Sequence, residues 1–295
     1  MYPEQAQFSR NLGFMTTSEQ NRLINSSVAI AGAGGDGGML AIQLARLGVG
    51  ELRLADPDPF ELENMNRQAC CTTETVGVNK AVAVGDYINK INPDINVVTY
   101  TEGVKENNVA DFIKGSDLVI DETEFTLHSI GVMIARQARK EGISNLMAMN
   151  IGFGTTVTSF KPDGKTFEST LGLSDNATIE EIESSNPSIS HWLSYLPPYG
   201  DLSVLKKVAS GEKSAPSIAP GVAVAAGVGA SQAFLHLVAN GGNNRQAPVT
   251  APHILMIDAM TGESRTIKHP VASHYKYLAK LLIKSAVGKN SSASY

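Results

Sequence analysis

Cysteine is scarce in this sequence: 295 residues hold two, and they are neighbours, Cys70 and Cys71. Two adjacent thiols cannot build a disulfide framework, and a tetrathiolate zinc site needs four. So no structural zinc is expected, nor a nucleophilic cysteine late in the chain. Sparse cysteine suits a reducing compartment, and a cytoplasmic location is expected. A surplus of one charge is missing too. With 24 Lys and Arg against 29 Asp and Glu, the net charge of −5 offers nucleic acid no global basic footprint. The longest small-apolar run, Val222 to Val228, is too short to span a membrane. Met1 to Gln5 lacks the basic start of a secretory signal, so a soluble chain is expected. The six histidines are scattered, without metal-ligand spacing.

What the sequence does have is concentrated between Ser27 and Lys80. An apolar run, Val28 to Ala31, leads into a glycine turn holding Gly32, Gly34, Gly35 and Gly37. A helix to Leu47 follows, then Leu52 to Ala55 and Asp56. This is a βαβ unit whose glycines let backbone N–H groups and a helix N-terminus approach a phosphate. Asp56 lies where an acid at the end of the second strand can bind ribose hydroxyls. These features alone predict a nucleotide site, with NAD as the first candidate.

Beyond it, the pattern alternates. Helices are expected over Lys80–Asn92, Val109–Lys114 and Ser129–Glu141, and strands over Asn96–Thr101, Asp117–Asp121 and Asn145–Asn150. Such alternation predicts an α/β fold, a Rossmann-like doubly wound, mostly parallel sheet with ligands at the carboxyl ends of its strands. Residues 4–25 read as an amphipathic arm. Thr155 to Thr170, with the turn Pro162-Asp163-Gly164-Lys165, reads as an antiparallel hairpin. Residues 173–217 form a long Ser-, Pro- and Glu-rich excursion of the kind that serves as a lid or binding segment. A small-residue helix over Pro220–Asn240 and closing strands at Ile254–Asp258 and Ser264–Lys268 complete a C-terminal antiparallel extension. The expected divisions are an arm (1–26), a nucleotide-binding core (27–150), an extension of the same domain (151–283) and a polar tail (284–295).

NAD chemistry gives no reason for Asn64-Met65-Asn66-Arg67-Gln68 and Lys80 just beyond the ribose acid. A triphosphate does, because Arg and Lys neutralise transferred or leaving phosphates. With Gly77-Val78-Asn79-Lys80 and Ile91-Asn92-Pro93, the string resembles the ThiF/MoeB/HesA family, bacterial relatives of ubiquitin-activating enzymes. The resemblance implies ATP-dependent adenylation of the C-terminal carboxylate of a ubiquitin-like sulfur carrier or a peptide, with Mg²⁺. It implies phosphate-binding roles for Arg67 and Lys80, and a site lined by Asn64, Gln68, Asp56 and Asp58. It also implies a homodimer in which the late helix packs at the interface and Arg10 reaches the partner's site. The other reading of Arg10 is a surface arginine on a docked helix, and that of Asp58 a turn residue between prolines.

The chain departs from the family at the metal acid. Thr123-Glu124-Phe125 stands where relatives carry Thr-Asp-Asn, so Glu124 is the expected Mg²⁺ ligand, with Asp121 as the alternative. Cys70 and Cys71 are expected to be packing residues, leaving the acyl-adenylate to an external nucleophile. Three rivals remain. One is a carboxylate activator resembling tRNA threonylcarbamoyladenosine dehydratases, disfavoured because residues 173–204 hold acids and no Lys or Arg. The others are a catalytically impaired nucleotide-binding partner protein and an NAD oxidoreductase.

Overall fold

The computed structural model describes residues 6–124, 127–185, 195–209, 212–239 and 245–268. Phe125, Trp192 and the polar tail lie outside the described residues. The chain is organised around one eight-stranded sheet of order β3-β2-β1-β4-β5-β6-β7-β8. Its strands are β1 Ser27–Ala31, β2 Glu51–Ala55, β3 Asn96–Tyr100, β4 Leu118–Asp121, β5 Asn145–Ile151, β6 Gly154–Phe160, β7 His253–Asp258 and β8 Glu263–Lys268. The first five run parallel, and β6, β7 and β8 add to the far edge antiparallel. The helices are α1 Thr17–Ile24, α2 Asp36–Leu47, α3 Lys80–Ile91, α4 Val109–Ile113, α5 His128–Lys140, α6 Phe167–Thr170, α7 Ile179–Ser185, α8 Leu202–Ala209 and α9 Ala219–Val238.

The parallel half forms as its sequence predicts. Val28, Ile30, Leu52, Leu54, Leu118 and Ile120 are fully buried, which a strand covered by helices on both faces requires. α1 starts in a capping box between Thr16 and Glu19, and α2 stops at Gly48, whose φ of +95° is the left-handed cap glycine tolerates best. Phe8, on a 3₁₀ turn over Ala6–Asn11, packs beside that glycine, so the N-terminal arm is docked on the core. Glu19, fully buried, is held by Arg245 at 2.7 Å, which ties the last described segment back to α1.

One expectation fails. The turn at Pro162–Lys165 does not return the chain as a second strand. It leads through Thr166, which caps α6, into that short helix. The hairpin partner of β6 is instead β5, joined through Gly152 and Phe153, with Gly152 at φ +59°. A turn signal marks a reversal without saying which segment is the partner. The late helix α9 is long and apolar enough to cross a membrane by length and composition. Here half of it is buried, packed between α2 and the β5–β6 pair.

Candidate active site

The glycine turn, the end of β2 and the end of β4 converge where the sheet order reverses between β1 and β4, the switch point at which such sheets bind ligands. A cavity of about 1410 Å³ opens there. Gly32, at φ +90°, presses so close to the chain after β4 that a Cβ would stand 2.3 Å from the carbonyl oxygen of Glu122. Gly34 and Gly35 line the cavity. Gly37 does not: it is buried under the turn, where a Cβ would stand 1.9 Å from the Gly32 oxygen. Three of the four glycines expected around the nucleotide, Gly32, Gly34 and Gly35, line the cavity, and the fourth lets the turn close.

Asp56 is buried at the cavity edge. Its Oδ2 accepts the Ala33 N–H at 2.8 Å and its Oδ1 the Asp58 N–H at 2.9 Å. Burial raises its pKa, opposed by those two bonds and by Lys80. Each oxygen keeps a lone pair for a hydroxyl. Asp58 also lines the cavity, and its carboxylate pairs with Lys80 Nζ at 3.1 Å. Lys80 opens α3 behind Asn79, whose side chain caps the helix by accepting the Val82 N–H. A phosphate would draw Lys80 from an exposed carboxylate, at small cost.

Arg67 follows a 3₁₀ turn over Leu62–Asn66. Its guanidinium donates to Asn66 Oδ1 at 2.8 Å and pairs with no carboxylate among the described residues. Asn64 lines the cavity while its Oδ1 accepts the Glu61 N–H. Gln68 is buried beside Gly34, with its Oε1 left without a partner among the described residues. Arg10, by contrast, is exposed and outside the cavity of its own chain.

Asp121 and Glu124 both border the cavity. Asp121 is almost fully buried. Its Oδ1 accepts from the backbone and hydroxyl of Thr123, while Oδ2 has no partner among the described residues, and burial raises its pKa. Glu124 is exposed. Mg²⁺ binds through one or two carboxylates and takes its other oxygens from phosphates and water. The exposed Glu124 at the cavity fits that role, whereas the buried Asp121 Oδ2 faces Gly131 of α5. No group of three or more metal-ligating side chains forms among the described residues. Cys70 and Cys71 are core residues, and burial pushes the Cys70 thiol up to about 11.

Several cavity residues went unread in the sequence. Asp36, the acidic residue of the turn, receives the backbone and side-chain N–H groups of Asn150 on β5. Asn150 in turn accepts the Ser217 hydroxyl at 3.0 Å, and the Ser217 carbonyl accepts the Asn66 amide at 3.1 Å. With the Arg67–Asn66 bond, these form a continuous chain from the glycine turn to Arg67 by way of the long excursion. Glu122 lies beside Asp36 and accepts the Ala148 N–H at 2.8 Å. Burial, then the charge of Asp36, raises its pKa well above the usual carboxylate range. An acid within a glycine turn was the only local signal for this cluster.

Comparison with known proteins agrees with this geometry. The adenylyltransferase and sulfurtransferase UBA4 of Debaryomyces hansenii is 38% identical over 111 residues, 38% of this chain and 25% of that protein. The SAMP-activating enzyme E1 of Haloferax volcanii is 33% identical over 150 residues, 49% of this chain and 53% of that protein. The chain thus spans about a quarter to a half of these curated relatives. Crystal structures of E. coli MccB share the fold at 18% identity. That with ATP has a TM-score of 0.64 and that with AMPCPP and MccA 0.65, each match covering 90% of this chain and 72% of MccB. The ThiF family model matches residues 8–276, and the chain belongs to the ThiF family.

Proposed function

We propose that this chain uses ATP to adenylate the C-terminal carboxylate of a ubiquitin-like protein or a peptide. The observation that carries this reading is a single cavity joining the glycine turn, Arg67 and Lys80 to the segment 195–217. At about 1410 Å³ it exceeds the ~300–1,000 Å³ of a small-ligand pocket, leaving room for a second reactant beside the nucleotide.

In the step proposed, a carboxylate oxygen of the acceptor attacks the α-phosphorus in line. A new P–O bond forms, the bond to the bridging oxygen of the β-phosphate breaks, and pyrophosphate leaves with that electron pair. Arg67 and Lys80 stabilise the departing charge, Asp56 orients the ribose, and the backbone of Gly34 and Gly35 receives the phosphates. Glu124, or Asp121 in its place, would hold Mg²⁺, which when bound neutralises phosphate charge. The acyl-adenylate passes to an external nucleophile such as a sulfur donor or an amine, since both thiols are buried. A reducing, cytoplasmic setting belongs to this reading, as free thiols favour it. So does a homodimer: α9 turns the small residues Ala223, Gly227 and Ser231 outward, and Arg10, exposed and not among the residues of its own cavity, would serve another.

Acceptor-dependent ATP–pyrophosphate exchange tests the reading. Exchange is expected in the wild type and should fall by about 10²-fold or more in Arg67→Ala and Lys80→Ala, the scale of removing one charge-stabilising group. Thermal stabilisation by NAD and not by Mg-ATP would overturn it.

A further inference from the structure

The cavity does not end where a nucleotide would. An arm of it crosses the antiparallel half of the sheet, where strand alternation puts Met147, Met149, Thr156, Thr158 and Phe160 on one face. Leu146, Val157 and Ser159 turn to the other face, toward α9. Ile254 of β7 continues the floor.

The roof is built by the excursion. Leu196 and Tyr199 cover one end, and Val204 and Val208, four residues apart on α8, present an apolar stripe at the other. The first end is pinned to the sheet edge. The hydroxyls of Tyr195 and Tyr199 both donate to Asp258 Oδ2, at 2.9 and 2.8 Å, and Tyr199 accepts the Phe153 N–H. Asp258, fully buried, also accepts the backbone N–H groups of Met260 and Thr261. The arm is thus held open by hydrogen bonds made within the chain.

Its charge distribution is uneven. Among the described residues, the Lys and Arg lining the cavity are Arg67, Lys80 and Lys105, and of the lining residues that follow Asn150 in the chain only Asp201 is charged. A charged side chain entering the arm would be desolvated without a counter-ion, whereas an apolar one would leave water at no such cost. A Gly-Gly tail would leave the arm unfilled.

We propose that this arm binds the last side chains of an acceptor peptide that ends in a bulky, uncharged residue, with its carboxylate directed back to the glycine turn. The proposal rests on the adenylation reading and adds the class of substrate.

The test uses four acetylated peptides of equal length, ending in Leu, Gly-Gly, Lys or Glu. Their binding to the full chain is measured by calorimetry with a non-hydrolysable ATP analogue present. The Leu peptide is expected to bind about 10-fold or more tighter than the others, as one buried aliphatic side chain can supply. Thr158→Trp, which fills the floor, should abolish that preference while stabilisation by Mg-ATP is unchanged; Val208→Trp asks the same of the roof should the first variant not fold. Equal binding of all four, tighter binding of the Gly-Gly or charged peptides, or no binding at millimolar peptide would overturn the proposal. Those results leave adenylation standing if Mg-ATP still stabilises the chain; loss of that stabilisation in the wild type would instead overturn the reading beneath it.

Discussion

Asn150 donates both its backbone N–H and its side-chain amide to one oxygen of Asp36, at 3.0 and 2.6 Å, across 114 positions of sequence. The other Asp36 oxygen is buried with no hydrogen-bond partner among the described residues, and Glu122 lies nearby. Burial raises the Asp36 pKa to about 6, more than its bonds to Asn150 and the charge of Arg67 can offset. The folded state therefore holds this proton more tightly than the unfolded chain. Stability is full below pH 3.8 and falls as pH rises toward 6. Asp36→Asn should match the wild type at pH 4 and exceed it at pH 7.5 by up to ~3 kcal/mol, measured by urea unfolding at the two pH values. A wild type that stays the more stable at pH 7.5 would show that the ionised carboxylate is worth more than its desolvation costs.

Gly37→Ala tests the turn rather than its lining. Its Cβ would stand 1.9 Å from the Gly32 oxygen, a backbone atom that cannot swing aside. The variant should lose about 3 kcal/mol or more of stability, together with stabilisation by Mg-ATP. Gly77→Ala gives a comparison: its Cβ meets nothing within 4 Å, so only the strain of a φ of +85° remains, about 1 kcal/mol.

Glu168 is fully buried and bound by two arginines of α5, to Arg136 at 2.8 Å and Arg139 at 3.0 Å. The arginine bonds outweigh burial and hold its pKa below the usual value. Glu168→Ala leaves two partly buried cations facing an apolar pocket and should cost ~3–5 kcal/mol in chemical denaturation. Since the folded pKa is depressed, the Glu168 contribution is present above pH 4.5 and is lost on acidification.

His236 on α9 is the acid-sensitive group of the antiparallel half. Its Nε2 meets the Ser159 hydroxyl at 2.8 Å, and burial, aided by Lys161, lowers its pKa to about 4. The unfolded chain takes up the proton first, so stability declines as pH falls from 6.5 to 4. His236→Gln keeps a polar partner for Ser159 and should flatten the pH dependence of melting temperature across that window.

The parallel half was legible in the sequence because its determinants are local. A glycine turn between two buried apolar runs, acids at strand ends and helical spacing of Ala81, Val84 and Ile88 each act within a few residues. The same locality put Asp56, Arg67, Gln68 and Lys80 in one string, and the structure gathers all four around one cavity. Tertiary structure decided what depends on distant closure. β6 pairs with β5 rather than with a strand after Lys165, because Gly152 and Phe153 turn the chain first. Asp58 binds Lys80, since α3 starts beside it. Asp36 meets Asn150, and Tyr199 meets Asp258, because the sheet brings β5 and β7 to the cavity that the excursion covers. No periodicity encodes a hydrogen bond between residues a hundred positions apart; it forms only once the sheet has closed and the buried donor has no other acceptor.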